Sequence, residues 1–219
     1  MADADLFRDF FYAIEPIRMR DPLATLLGAM AQEEHDTIEY RFPDVVKMSG
    51  HACPTIGSSF VACKHAIHTL YPDRIGERGG MTIEVHGERD DGVFGVIGQV
   101  FQFITGASPE TGFKGIAGVH RRNNLLCYGN RADSVDHVFD FERVDTKTKC
   151  RVTLIFSELP TLSENEEARI DELISKVIWQ AANAQDRKQF RDLWMRKVEM
   201  IAREERNVGS WLKIEKIEV

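Results

Sequence analysis

The sequence lacks several features that would assign it to a specialised class of protein. Its four cysteines are widely separated in 219 residues and form no C-x-x-C pair, so neither a disulfide framework nor a zinc ribbon is indicated. No segment approaches the roughly 20 consecutive apolar residues that span a bilayer. The amino-terminal MADADLFRDFF carries acidic residues where a secretory signal carries basic ones. We therefore expect a cytoplasmic protein that does not associate with a membrane.

An excess of positive charge is also absent. The chain has 28 Lys and Arg residues against 35 Asp and Glu residues, for a net charge of −7. This balance repels a phosphate backbone, so nucleic acid is not an expected partner. Hydrophobic residues make up 43% of the chain and charged residues 29%, which is ordinary for a globular protein with a real core.

Helices are predicted by apolar residues that recur every three or four positions. Residues 5–15 and 22–34 show this spacing, and Asp21 with Pro22 resembles a helix start. A longer helix is predicted from Pro54 to just before Pro72. Its apolar face consists of Ile56, Phe60, Cys63, Ile67 and Leu70. The segment GVFGVIGQVFQFITGA predicts a buried helix whose glycines, Gly95 and Gly98, allow close approach of another backbone.

Strands are predicted where apolar and polar residues alternate, in GGMTIEVHGE, in NNLLCYG and in the hairpin HVFDFERVDTKTKCRVTLIFSE. Residues 161–206 predict a helical hairpin, because Ser163 and Glu166 form a capping box and a second amphipathic helix follows. The predicted class is α+β, with a mixed or antiparallel sheet packed against helices. We divide the chain into a domain over 1–160 and a helical extension over 161–219 packed on it.

The segment SGHACPTIGSSFVACKHAI places two soft-metal ligands, His51 and Cys53, directly before a predicted helix. An H-x-C pair in a loop can direct an imidazole and a thiolate at one metal ion. The partial positive charge of the helix amino terminus also stabilises a thiolate. The alternative is that Cys53 is a small buried hydrophobe and His51 a hydrogen-bonded loop residue. Cys63, Cys127 and Cys150 are predicted to be core residues.

This segment resembles the G-H-x-C-P signature of the FmdE family, which is named after one of the subunits of formylmethanofuran dehydrogenase and in which the block opens a helix of small residues. QVFQFITGASPETGFKG is similar to a later block of the same family, and the likeness extends over residues 40–130. The resemblance implies an α+β domain that forms a homodimer and binds a metal, usually zinc, at His51 and Cys53. It also implies that the TGASPETGFKG loop lies near the same cleft.

The chain departs from the family pattern in two ways. The later block usually carries cysteines before and after its helix, where this chain has Val or Gly near 95 and 96, and Ala107. The cysteine-rich module that commonly follows in the family is replaced by the helical hairpin. With two ligands carried over, the others must come from nearby residues, water, a cofactor or a substrate.

Candidates for additional ligands, or for a general base, lie in VHGERDDG and GVHRRNN. They are His86, Glu88, Asp90, Asp91 and His120. The alternative for the acidic residues is a solvated loop, and for His120 it is an anion contact made by Arg121 and Arg122. The glycine-rich loop after the buried helix predicts an anion or ligand site at Thr105, Gly106 and Lys114, with a dimer contact as the alternative.

Three functions remain open from the sequence. The first is a metal-binding FmdE-like protein that holds a small molecule or cofactor at the His51 and Cys53 site, with redox or hydrolytic chemistry. Zinc is the expected metal, with iron or haem as alternatives. The second is a non-catalytic accessory protein, or a carrier of haem or metal, for a partner oxidoreductase. The third is an α+β dimer that binds no metal.

Overall fold

The computed structural model describes residues 6–30, 36–129, 136–206 and 208–217. Seven α-helices occur in these residues: α1 (Asp9–Ala13), α2 (Pro22–Leu26), α3 (Phe42–Ser49), α4 (Pro54–Leu70), α5 (Phe94–Thr105), α6 (Glu164–Ile178) and α7 (Ala184–Arg203). Eight strands accompany them: β1 (Ile17–Arg20), β2 (Thr37–Tyr40), β3 (Gly76–Glu77), β4 (Met81–His86), β5 (Leu126–Gly129), β6 (His137–Arg143), β7 (Lys149–Leu154) and β8 (Leu212–Ile217). The predicted α+β class is confirmed.

The strands form two mixed sheets. The larger has the order β5-β4-β6-β7-β8, in which β5 runs parallel to β4 and the other neighbours are antiparallel. The smaller has the order β2-β1-β3. The predicted hairpin is confirmed as β6 and β7, joined through a turn at 144–148. Strands β1, β3 and β8 were not predicted.

Helix α4 lies at the centre of the molecule. It packs against α5 and α7 and across strands β6, β7 and β8. The predicted apolar face is confirmed, because Ile56, Phe60, Cys63, Ile67 and Leu70 are all buried. Pro54 occupies the first turn, where a missing backbone N–H costs nothing. The His51 and Cys53 segment therefore leads directly into the most deeply packed helix of the fold.

Helix α2 is shorter than the predicted helix over 22–34. It starts as expected, since the Asp21 side chain accepts a hydrogen bond from the Ala24 amide. It ends at Leu26, and Gly28 then adopts a left-handed conformation with φ +72°. Residues 31–35, which include the end of that prediction, lie outside the described residues. The helix predicted over 5–15 is likewise limited to α1 in the described residues.

Helix α5 is buried as predicted, and its glycines are needed for two different reasons. A Cβ atom at Gly95 would overlap the carbonyl oxygen of Arg89, which is the expected close approach of backbone. A Cβ atom at Gly98 would instead overlap the hydroxyl of Tyr128, a side chain. Both contacts hold α5 tightly against the segment that follows β4 and against β5.

The carboxy-terminal helices form the predicted hairpin. Ser163 and Glu166 make the capping box, with the Ser163 amide donating to Glu166 Oε2 over 3.2 Å. Helix α7 packs along α4, and its Val198 and Ile201 are fully buried there. The chain then adds β8 to the larger sheet beside β7. No helix of the described residues is both long and apolar enough to cross a membrane.

Candidate metal centre

Polar side chains collect on the face of the larger sheet that points away from α4 and α5. Strand β4 alternates strictly: Met81, Ile83 and Val85 are buried in the core, whereas Glu84 and His86 point to the other face and are half-buried. Glycines at 79 and 80 precede the strand, as predicted from the sequence. The alternation therefore places a carboxylate and an imidazole on the same side of one strand.

The register of the sheet extends this group across three neighbouring strands. Glu84 pairs with Cys127 of β5 on one side and with Asp140 of β6 on the other. Asp140 in turn pairs with Arg151 of β7. Directly opposed side chains on one face of a sheet lie about 5 Å apart at Cβ. One row of the sheet thus carries a thiol, two carboxylates and a guanidinium.

Glu84, His86 and Asp140 form the cluster with metal-ligand character among the described residues. Each offers one ligand atom, and the three atoms lie within 4.8 Å of one another. His86 Nε2 is 3.1 Å from Asp140 Oδ2. These are the donor types that zinc and related divalent ions accept, and three protein ligands leave a further coordination position open.

Asp140 is the most buried member, at 3% exposure, and it is surrounded by positive charge. Arg151 binds both of its oxygens, with each N···O distance at 2.8 Å, and Lys149 Nζ lies 3.5 Å from Oδ2. Burial alone would raise the pKa of Asp140, but the hydrogen bonds and charges of Arg151 and His86 outweigh it, so this pKa lies below its usual value. The carboxylate is therefore ionised at neutral pH.

A depression of about 290 Å³ adjoins the cluster. Its polar lining residues are Thr82, Glu84, Asn124, Cys127, Asp140, Glu142 and Lys149. The prediction that Cys127 is a core residue is wrong, because alternation along β5 turns its side chain to this exposed face. Cys63 and Cys150 are confirmed as core residues. Burial raises the pKa of the Cys150 thiol to about 12.

His51 and Cys53 lie in the connection between α3 and α4, apart from this cluster. His51 is exposed, and its Nδ1 lies 3.0 Å from the carbonyl oxygen of Ser49. Cys53 is the residue before the first turn of α4 and packs partly against the core. Within the described ranges, no third His, Cys, Asp or Glu joins them in a cluster of metal-ligand geometry. Trp194 of α7 covers the connection by donating from Nε1 to the Ala52 carbonyl over 2.9 Å.

The other candidate ligands lie at the end of β4, in the turn that follows it, and in the loop before β5. His86 joins Glu84 and Asp140, whereas Glu88 and Asp90 are exposed in the turn after β4. The Asp91 amide donates to the Glu88 carbonyl within that turn. His120 adopts a positive φ of 56° in the loop before β5. Among the described residues, Glu88, Asp90, Asp91 and His120 belong to no cluster of three candidate ligands.

Sequence reasoning missed Glu84 and Asp140. The alternation in MTIEVH places Glu84 and His86 on the same face, so Glu84 could have been found from the pattern that predicted the strand. Asp140 interrupts the apolar run VFDF of β6, which is a weaker signal. Which residue of β6 lies opposite Glu84 depends on strand order and register, and neither is encoded locally.

The residues of the predicted anion site lie at the end of α5 and in the loop that follows it. Thr105 is fully buried; its Oγ1 donates to the Phe101 carbonyl over 2.6 Å and accepts from the Ala107 amide. Gly106 ends α5 in a left-handed conformation, and Lys114 is exposed on the loop. Gly106 lines a depression together with two cations, Arg78 and Arg122.

No protein-family model matches this chain, and no curated protein matches it.

Proposed function

We propose that this protein binds a divalent metal ion through Glu84, His86 and Asp140 and holds a small molecule in the adjoining depression. Zinc is the expected ion, and iron is the alternative. The observation that carries the proposal is the convergence of three ligand atoms within 4.8 Å from two adjacent strands. A bound ion with an open position would polarise a carbonyl group or lower the pKa of bound water.

The donor set supports this assignment. Imidazole and carboxylate are ligand types that zinc and iron accept, and three protein ligands with an open position are the arrangement of sites that act on substrates. Ligands held on neighbouring strands of a five-stranded sheet are also more rigid than ligands on loops. His86 and Asp140 already lie at 3.1 Å from each other, a separation close to that between two ligands of one ion at about 2.0 to 2.2 Å bond lengths.

Arg151 supports the assignment as an outer partner. Carboxylates that bind metal ions are commonly hydrogen-bonded by a second side chain, which orients them. Arg151 performs this role for Asp140 and keeps its carboxylate ionised. Binding of the ion requires His86 Nε2 to exchange its contact with Asp140 for a contact with the metal. The bond from Arg151 Nε to Oδ1 does not involve the oxygen that faces His86, whereas Oδ2 would be shared between the ion and Arg151 Nη2.

The test is elemental analysis and zinc titration of protein purified without a metal-affinity tag. We expect about one metal ion per chain, and we expect His86→Gln and Asp140→Asn each to lower the zinc affinity more than about 100-fold, since loss of an outer partner alone costs about 10 to 100-fold. His68→Gln serves as the matched control, because His68 is exposed on α4 outside the cluster. His51→Ala and Cys53→Ser are measured in parallel and should retain the metal.

The outcomes separate the two sites. Full metal content in the His86 and Asp140 variants, with circular dichroism showing intact folding, would contradict the proposal. Metal lost from the His51 and Cys53 variants, but kept by the others, would assign the ion to the FmdE-like site instead.

That second candidate is favoured by the geometry of His51. Histidines that ligate metal usually donate their other ring N–H to a carbonyl or carboxylate. The Nδ1 contact to the Ser49 carbonyl provides such a partner and leaves Nε2 for a metal ion. The remaining ligands would come from water, haem or a second copy of the chain in a homodimer. In this candidate function the protein is an accessory protein or carrier for a partner oxidoreductase.

Thiol labelling tests the second candidate without an activity assay. If Cys53 binds a metal, alkylation of this thiol should be slow and should accelerate at least about tenfold when a chelator is added, because only the free thiolate is reactive. His51→Ala is the matched control, since Cys53 has lost its co-ligand in this variant and should react at one rate under both conditions. Mass spectrometry of the labelled peptides measures both rates. Equal Cys53 rates with and without chelator count against ligation.

The cellular setting is part of the proposal. The four thiols are free, as is usual where glutathione keeps cysteines reduced. We therefore propose a cytoplasmic location.

A further inference from the structure

A second depression, of about 470 Å³, lies between α2 and the carboxyl end of α5. Two guanidinium groups, from Arg78 and Arg122, line it together with Asp21. Asp21 Oδ2 accepts from Arg78 Nη1 over 3.0 Å, and Oδ1 accepts from Arg122 Nη2 over 2.7 Å. The group shares no residue with the proposed metal centre.

Arg78 has a structural role that uses its donors. Its Nε donates to the Ile104 carbonyl over 3.1 Å and its Nη2 to the Phe103 carbonyl over 3.0 Å. These are carbonyls of the last turn of α5, which lack partners within the helix. Arg78 therefore caps α5, and its positive charge complements the negative end of the helix.

Arg122, in contrast, leaves one of its hydrogen-bond donors without an acceptor among the described residues. It is 7% exposed, and its Nη1 is buried without a hydrogen-bond partner in the part of the chain that the structure describes. A buried guanidinium nitrogen without an acceptor is costly, because water cannot replace the missing bond. Burial accordingly lowers the pKa of Arg122 below its usual value, although the charge of Asp21 opposes this effect.

The charges around this group do not balance. Two guanidinium groups face one carboxylate, and the same carboxylate also accepts the Ala24 amide as the cap of α2. Among the described residues, the only acidic side chain that pairs with either arginine is Asp21. Counted over the described residues, the group therefore carries one surplus positive charge, which an anionic ligand would compensate.

Two glycines make room for the unpaired nitrogen. A Cβ atom at Gly79 or at Gly106 would lie 2.8 Å from Arg122 Nη1. Both glycines have a left-handed backbone, with φ +75° and +72°. This explains the glycine of the T-G pair that ends α5: it makes room for a guanidinium as well as ending the helix.

The rest of the depression is mainly apolar. Leu23, Leu27, Phe103 and Phe113 line it, with Ser108 and Gln102 as neutral polar groups. Leu27 is 60% exposed and Phe113 is 46% exposed. An apolar wall beside one surplus positive charge suits a ligand with one negative charge and a hydrocarbon body.

We propose that this depression binds a small monocarboxylate with an apolar chain, whose carboxylate compensates Arg122. The carboxylate accepts from Nη1 once the guanidinium turns toward the depression, and the chain lies against Leu27 and Phe113. This assignment moves the sequence-predicted anion site from Thr105 and Lys114 to Arg122, and it does not depend on the metal centre.

The test is calorimetric titration with hexanoate, compared with hexanamide, acetate and inorganic phosphate. We expect saturable binding of hexanoate, at least about tenfold weaker binding of hexanamide because the charge-assisted bond is lost, and weaker binding of acetate because it has little apolar surface. Hexanamide binding as tightly as hexanoate would overturn the proposal. So would the absence of hexanoate binding up to about 10 mM, a concentration that would fill a site of millimolar affinity. Tighter binding of phosphate would overturn the monocarboxylate assignment.

Two variants locate the binding. Arg122→Gln should weaken hexanoate binding at least about tenfold. Since this variant also loses its bond to Asp21, Leu27→Glu provides a second test that leaves the buried group intact. Leu26→Glu is its matched control, because Leu26 and Leu27 are 61% and 60% exposed but only Leu27 lines the depression. Leu27→Glu should weaken hexanoate binding by charge repulsion and Leu26→Glu should not; equal affinities in these two variants would contradict the location.

Discussion

Replacement of Lys64 by methionine is expected to lower the free energy of unfolding by about 3 to 5 kcal/mol. Lys64 is 3% exposed on α4, and its Nζ lies 2.8 Å from Glu205 Oε2 and 3.0 Å from Glu15 Oε2. Glu205 is also buried. Methionine preserves most of the side-chain volume but removes the cation, so a buried carboxylate loses its counter-charge. Urea unfolding at pH 7 measures the effect.

Two further variants separate this mechanism from a packing defect. Lys188→Met removes a lysine whose Nζ lies 2.8 Å from Asp192 but which is 69% exposed, and it should cost less than about 1 kcal/mol. The double variant Lys64→Met with Glu205→Leu should recover about half of the loss or more, because an apolar pair replaces the buried ions. A double variant as unstable as Lys64→Met alone would contradict the electrostatic explanation.

The same network gives the expected pH dependence. The hydrogen bond and charge of Lys64 hold the pKa of Glu15 below its ordinary value of 4.5. The unfolded chain therefore binds this proton more readily than the folded chain. The stabilisation is fully present above pH 4.5 and is lost as the pH falls through the folded-state pKa. Its size is small because Glu15 is about half exposed, and Lys64→Met should remove it.

Replacement of Trp211 by alanine is expected to lower the free energy of unfolding by about 3 to 5 kcal/mol. Trp211 is 1% exposed, directly before β8, and its Nε1 donates to Glu204. Its carbonyl accepts from the Ile155 amide over 2.8 Å, which ties β8 to the end of β7. Alanine would leave a large cavity at this junction. Trp179→Ala is the matched control. Trp179 is 81% exposed, so this substitution should change the free energy of unfolding by no more than about 0.5 kcal/mol.

Unfolding of the unmodified protein tests the division of the chain into residues 1–160 and 161–219. Strand β8 belongs to the second segment but pairs along its length with β7 of the first. We therefore expect both segments to unfold in one transition, with far-ultraviolet circular dichroism and tryptophan fluorescence giving the same midpoint. A first transition that removes helical signal while the sheet persists would instead support a separate carboxy-terminal unit.

Regular periodicity explains which elements were predictable. The apolar faces of α4 and α7 repeat over many turns, so they predict both the helix and its buried side. The short strand β1 offers only four residues, IRMR, and its neighbour β3 has two. Strand β8, LKIEKI, is an edge strand with charged residues at alternate and adjacent positions. Such strands form because a neighbouring strand completes their hydrogen bonds.

The sequence by itself determined the α+β class, the apolar face of the helix from Pro54, and the burial of Cys63 and Cys150. Each follows from a local pattern of apolar residues, because side chains that repeat with the period of an element share one of its faces. Only the tertiary structure decided which polar side chains meet. Glu84 faces Asp140, and Arg122 faces Asp21 across 101 positions of the chain, because packing of the core sets strand order and register.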